Sequence, residues 1–303
     1  MNWLTEHKLP LGEWMEGFVD WLTFNAAGFF DAISISLEWV IISMVEIFQW
    51  FPAYVPMALT AATAYALHRS IPLVVFVVAA LMLILNLGYW QEMLETFVLV
   101  ITATSISIVI GVPIGIVAAH KPWIYTILRP ILDLMQTIPT FVYLIPTLVL
   151  FGLGVVPGLI STIIFAIAAP IRLTYLGISR VPEDLLEAGK AFGATPFKLL
   201  YKVELPAAMP NIMAGITQCI MLSLSMVVIA SMISVKGLGN EVLRAMGRLD
   251  AGKALVGGLG IVILAIVLDR VTQGMGRSGR DRGHRHWWQG GPVGVVLRLT
   301  GKA

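Results

Sequence analysis

Acidic residues, glycines and prolines gather at defined spacings between Pro182 and Pro206, and the chemistry they suit is recognition by contact rather than bond-making. Glu183 and Asp184 open the stretch; Glu187-Ala188-Gly189 follow, then Gly193-Ala194-Thr195-Pro196, and Leu205-Pro206 close it. The residue sets that make enzymes do not occur: no His-Glu-x-x-His, no Cys-x-x-Cys, no nucleophile elbow. One cysteine, Cys219, gives no intrachain disulfide and no cysteine-based metal site. Gly247-Arg248-Leu249-Asp250-Ala251-Gly252-Lys253 comes near a phosphate-binding loop. Ala254 stands where Ser or Thr would hold Mg²⁺, however, and no strand is expected before it. The chain is read as a non-enzyme with no cofactor or metal of its own.

Local chemistry predicts two short helices in the polar stretch. Pro182 suits a first helical position, and Glu183 and Asp184 complement the positive end of the helix dipole. Gly193 can take the left-handed conformation that closes the first helix. Thr195 is then an N-cap, with Pro196 opening a second helix, FKLLYKVEL, expected to end before Pro206. Gly189 in the first helix weakens it by up to about 1 kcal/mol relative to alanine. Such a pair forms a rigid knob, although any long loop between membrane spans can also form an amphipathic surface helix.

The elements that hold this knob are apolar. Of the 303 residues, 58% are hydrophobic and only 13% charged, which excludes an ordinary soluble domain and predicts an all-α, polytopic membrane protein. Seven spans are expected, near 53–67, 71–89, 94–118, 139–156, 158–177, 207–233 and 254–270, with a mixed helix over 122–138. Pro113, Pro139, Pro146 and Pro170 inside apolar segments predict kinks or breaks. Residues 26–51 are helix-like but carry Asp31, Glu38 and Glu46, each costly at mid-bilayer, so residues 1–51 are read as a peripheral, interfacial region. If 26–51 crosses instead, the spans number eight. Residues 52–273 then form the membrane domain, with its polar insert at 179–206, and 274–303 form a basic tail. The N-terminus lacks the basic start of a signal peptide, so the first span is expected to direct insertion.

Lys and Arg set the orientation. The connections at His68-Arg69, His120 to Arg129 and Arg180 to Lys202 are basic and expected to be cytoplasmic, and the tail with Arg277, Arg280, Arg282 and Arg285 falls on the same side. The loop 235–253 falls outside by this alternation despite its own basic residues. A net charge of +2 points to a lipid bilayer, not to nucleic acid. Within the spans, Met221, Met226 and Met232 read as packing residues. Asp133, Gln136 and Arg172, near span ends, are candidates to line or gate a path, against snorkelling or interhelical bonding. Phe141, Tyr143 and Tyr175 could offer faces to a quaternary ammonium, against ordinary core packing. An ion-coupled secondary transporter or channel would need mid-membrane carboxylates, and the spans after residue 95 carry almost none away from their ends.

The spacing of Glu187-Ala188-Gly189, Gly193 and Val203-x-Leu205-Pro206 resembles the cytoplasmic "EAA" loop of ATP-binding-cassette importer permeases. The segments MQTIPTFVYLIPTLVLFGLG, APIRLTYLGISRVPEDLLEAGKAFGATP, SMVVIASMISVKGLG and VLRAMGRLDAGKALVGGLGIVILAIVLDR look like the permease subunit of glycine betaine/proline betaine importers, with choline permeases as relatives. The similarity covers roughly residues 50 to 300. It implies a type I importer core in the inner (plasma) membrane and a homodimer of permeases. Two ATPase subunits would carry ATP and Mg²⁺, and a substrate-binding protein would work outside. On this resemblance, ATPase coupling falls to Glu183, Asp184, Glu187, Ala188, Gly189, Gly193, Ala194, Thr195, Pro196, Leu205 and Pro206.

Overall fold

A computed structural model describes residues 10–273, and every regular element among them is helical. The tail expected over 274–303 lies outside the described residues. Five helices are long and apolar enough to cross a membrane: Gly12–Trp50, Trp90–His120, Val155–Ser179, Pro196–Ile233 and Ala251–Gln273. A bent pair, Pro122–Thr137 with Thr140–Phe151, makes six if counted as one span. Four of the seven expected spans thus appear as long helices.

The other three are shorter. Helix α2 (Tyr54–His68) and α3 (Ile71–Asn86) have 15 and 16 residues and pack on each other as a hairpin. The expected span 139–156 holds a single 3₁₀ turn, Thr140–Tyr143, and α6 (Leu144–Phe151). At 1.5 Å per residue these reach only about 18 Å, short of a ~30 Å hydrocarbon core. The causes are local. Ile138 is extended ahead of Pro139, which ends α5 (Pro122–Thr137) and bends the pair by 110°. Gly152 and Gly154, with φ of 75° and 139°, then stop α6.

Pro170 lacks the N–H that would reach Ala166, and the single-residue break between α7 (Val155–Ala166) and α8 (Ala168–Ser179) falls there. Pro113, by contrast, sits inside an unbroken α4 (Trp90–His120), and Pro146 falls in the first turn of α6, where the missing donor costs nothing. Only Pro139 and Pro170 of the four expected breakers interrupt a helix.

The 40-residue α1 (Leu11–Trp50) is kinked at Ala26. Leu37, Ile41, Met44, Val45 and Phe48 form a helical stripe packed on the core, and Asp31, Glu38 and Glu46 point away from it. Phe48 meets Phe97 of α4 edge-on at 5.8 Å, and Phe30 meets Phe151 at 5.3 Å. The polar side chains thus stay clear of the packed face, an arrangement a helix on the bundle's flank permits.

The centre of the bundle is α4, α8 and α11 (Leu205–Ala230), joined by glycines that bring backbones close. A Cβ on Gly115 would lie 2.7 Å from both the Ile171 carbonyl oxygen and Thr174 Cβ; one on Gly177 would lie 2.9 Å from Asn211 Cβ. Gly111 meets Pro170, and Gly215 meets Leu173 and Pro170, in the same way. Small residues in such seams replace the hydrophobic drive that lipid removes. Buried hydroxyls add bonds between helices: Thr104 to Ser223 at 3.3 Å, and Thr147 with Ser161 at 2.6 Å. The last elements are α12 (Leu238–Gly247) and α13 (Ala251–Gln273), packed together.

Candidate coupling surface

The polar insert folds as two helices joined by a tight turn. Helix α9 (Glu183–Ala191) begins after Pro182 with Glu183 and Asp184 in its first turn. It closes through a Schellman motif: Gly193 adopts φ +73°, its N–H donates to the Lys190 carbonyl at 2.9 Å, and the Ala194 N–H donates to Gly189 at 3.1 Å. Thr195 then caps α10 (Pro196–Leu199), its hydroxyl accepting from the Lys198 N–H at 3.4 Å, with Pro196 in the first position. The expected cap residues therefore occupy the expected places.

Gly189 has a packing reason to lack a side chain. A Cβ there would come 2.6 Å from Leu199 Cδ1 and 3.5 Å from Val203 Cγ2, so the glycine lets the second helix lie against the first. Leu199 is buried in that contact.

The second helix differs from expectation at its end. It does not stop before Pro206: a π turn, Leu200–Glu204, carries it directly into α11, making Pro196–Ile233 one 38-residue run. The Leu205 N–H donates to Leu200, five residues back, and Pro206 falls in the first turn after the π turn, where it needs no donor. Leu205 packs with Ile178, Ala208 and Ile212 at the base of the insert. The insert is thus an extension of two spans, α8 and α11, which themselves touch at near-backbone distance. A displacement of the knob has little slack to absorb it.

None of α9 is buried, and the insert presents a mixed surface. Glu183, Asp184, Glu187 and Ala188 are exposed beside aromatic residues that sequence reasoning passed over: Phe192 is 93% exposed, and Phe197 and Tyr201 are also largely exposed. Phe192 precedes the left-handed glycine, so it stands at the tip of the turn. A large aromatic flanking a helix-closing glycine was the available signal. Such residues, with a polar rim, are the composition of interface anchors.

The path candidates split into two groups. Arg172 Nη2 of α8 donates to Asp133 Oδ1 of α5 at 2.6 Å, with Arg129 4.0 Å from the same carboxylate. Tyr175 stacks on Tyr125, their rings 3.4 Å apart and 6° from parallel. Asp133 and Tyr125 share one face of α5, and Arg172 and Tyr175 share one face of α8, so ion pair and stack form two rungs of one seam. Gln136 and Phe141 are exposed near it. Tyr143 is elsewhere: it is buried against Phe165, and its hydroxyl donates to the Met135 carbonyl at 2.5 Å. It pins the bend after α5 and presents no free ring face.

At the other end of α4, Thr96 accepts from the Leu238 N–H at 2.9 Å, and Gly237 at φ +124° makes room for that hydroxyl. Tyr89 there has its phenol pKa raised by burial and then by Glu241, Glu92 and Asp250. The loop between α12 and α13 therefore lies at the opposite end of the bundle from the insert. The near phosphate-binding motif is this loop: Asp250 caps α13 through the Lys253 N–H at 3.0 Å, an ordinary helix connection.

A family model described as "Binding-protein-dependent transport system inner membrane component" matches residues 111–278, which include the entire insert and both spans that carry it. The chain belongs to this family. It is similar to the glycine betaine/proline betaine transport system permease protein ProW of Escherichia coli (strain K12), 48% identical over 294 residues, covering 96% of this chain and 83% of that one. It is also 46% identical to the glycine betaine transport system permease protein OpuAB of Bacillus subtilis (strain 168), over 91% of this chain and 98% of that one. Among solved structures, an inward-facing MetNI methionine ABC transporter matches with a TM-score of 0.56, at 21% identity, over 62% of this chain and 94% of that one. That likeness speaks to the fold: a type I importer permease. As a family member the chain is a multi-pass inner-membrane permease component, a transporter subunit and not an enzyme.

Proposed function

We propose that this permease imports glycine betaine, proline betaine, choline or a related quaternary amine, driven by an ATPase subunit that docks on the 183–206 insert. The observation that carries the substrate class is near full-length similarity at 46–48% identity to permeases named for glycine betaine. The exposed, aromatic-tipped insert, rooted in two tightly packed spans, supports the docking site. In the working complex two permease copies pair, two ATPase subunits bind ATP and Mg²⁺, and a binding protein delivers substrate at the face opposite the insert. ATPase closure displaces Glu187, Phe192 and the Gly193 turn, and α8 and α11 follow. The energy comes from the different affinity of the ATPase for the two permease states. The C-terminus lies on the cytoplasmic side with the insert, and residues 1–51 form a peripheral region flanking the membrane domain.

The α5–α8 seam is the candidate gate. Opening it separates Asp133 from Arg172 and Tyr125 from Tyr175, which frees a guanidinium for a carboxylate and aromatic faces for a quaternary ammonium. Phe141 and Gln136 line the approach; Tyr143 holds the bend. The test is uptake of labelled glycine betaine into proteoliposomes holding the permease, its ATPase and its binding protein. ATP-dependent accumulation competed by proline betaine or choline supports the reading. Accumulation that follows an ion gradient and ignores ATP overturns it.

A further inference from the structure

Resting on the ATP-driven reading, one contact outside the sequence-derived site explains how a third span is brought under the insert's control. The insert is covalently continuous with α8 and α11 but not with α4. Glu204, in the π turn, is 7% exposed, and its Oε2 lies 2.9 Å from Nε2 of His120, the last residue of α4. The other ring nitrogen, Nδ1, lies 2.9 Å from the Ile116 carbonyl oxygen one turn back, which fixes the ring's orientation. Glu204 Oε2 has no aligned hydrogen-bond donor among the described residues, so His120 is its compensating cation. Lys121 and Lys202, the neighbouring cations in sequence, are exposed, and neither comes within ion-pair distance of Glu204.

Three features make this more than a surface ion pair. A buried carboxylate deprived of its partner is strongly disfavoured, so the two groups stay together when the insert moves. A cation at the C-terminal end of α4 is favoured by the helix dipole. The π turn supplies the extra residue per turn that reorients Glu204, and such turns recur at functional positions.

We infer that the His120–Glu204 pair is a drive pin that obliges α4 to move with the coupling insert, so that ATPase closure shifts three spans together. His120 acts here as a positioning residue; it touches no substrate.

The test measures uptake per ATP hydrolysed in the reconstituted complex for His120→Gln, Glu204→Gln, the double variant and His120→Arg. His120→Gln should lower uptake per ATP about fivefold or more while hydrolysis continues. The double variant should recover part of the loss, because it removes the uncompensated buried charge. His120→Arg, which keeps a cation, should stay within about twofold of wild type. A His120→Gln complex with wild-type coupling overturns the inference. If that variant does not assemble, His120→Arg decides: coupled uptake supports the pin, and uncoupled uptake or failed assembly overturns it. Wild-type protein without any ATP-dependent uptake would instead remove the functional reading beneath it.

Discussion

Gly193 allows the sharpest separation of backbone from side-chain effects. Its φ is +73°, and nothing lies within 4 Å of a Cβ built there, so any penalty for substitution is conformational and not steric. An L-residue in the left-handed region costs about 1–2 kcal/mol, and a β-branched one more, whereas asparagine visits it readily. If the ATPase recognises the closed turn, its affinity scales with the fraction of insert in that form. Gly193→Val should therefore weaken ATPase binding by roughly 5–30-fold or more, with Gly193→Ala at the low end. Gly193→Asn should lose about twofold or less, since it keeps both the turn and the Ala194-to-Gly189 hydrogen bond. The assay is titration of purified permease in detergent with its ATPase, read by a labelled subunit, with uptake per ATP measured in parallel. Equal losses for Asn and Val would refute the reasoning, because they would mean that side-chain volume, not backbone conformation, decides.

Other substitutions test the packing and the docking surface. Gly115→Ala places a methyl 2.7 Å from a backbone carbonyl and from Thr174 Cβ, with no flexible end to yield. It should lower stability by about 1–3 kcal/mol, read as a reduced midpoint of thermal unfolding in detergent, while Gly258→Ala, with open space around it, should be neutral or slightly stabilising. Phe192→Ala should weaken ATPase affinity by about tenfold or more if the ring fills a pocket, without changing the unfolding midpoint. Thr96→Val leaves the buried Leu238 N–H without its acceptor and should cost about 1–3 kcal/mol, seen as faster hydrogen exchange at the α12 start.

Much of this architecture is legible in local chemistry. Pro182, Glu183, Asp184, Gly193, Thr195 and Pro196 each carry a positional preference strong enough to place both helices of the insert and the turn between them. Four spans are long apolar runs, readable for the same reason. What escaped reading depends on contacts distant in sequence or on subtle backbone choices. The continuation through Leu200–Glu204 depends on a π turn, which no residue type announces; proline at 206 suggested a stop that the extra residue per turn removes. The 139–156 segment has the hydropathy of a span but contains the glycines that stop it at Phe151. Gly189 looked like a weakness in a helix until Leu199, ten residues on, proved to fill the space. The pairings Asp133–Arg172 and His120–Glu204 join residues 39 and 84 positions apart, and no periodicity points from one member to the other.

The central claim, that the insert is where the ATPase docks, is tested most directly by cross-linking. The native thiol, Cys219, is buried and is replaced by serine for the purpose. Phe192 and Leu249 are 93% and 92% exposed at opposite ends of the bundle, so cysteines there are matched in access and differ only in place. The account predicts that Phe192→Cys cross-links to the ATPase subunit, responds to ATP, and yields no adduct with the binding protein, while Leu249→Cys gives no ATPase adduct. An ATPase adduct from Leu249→Cys with none from Phe192→Cys would contradict it.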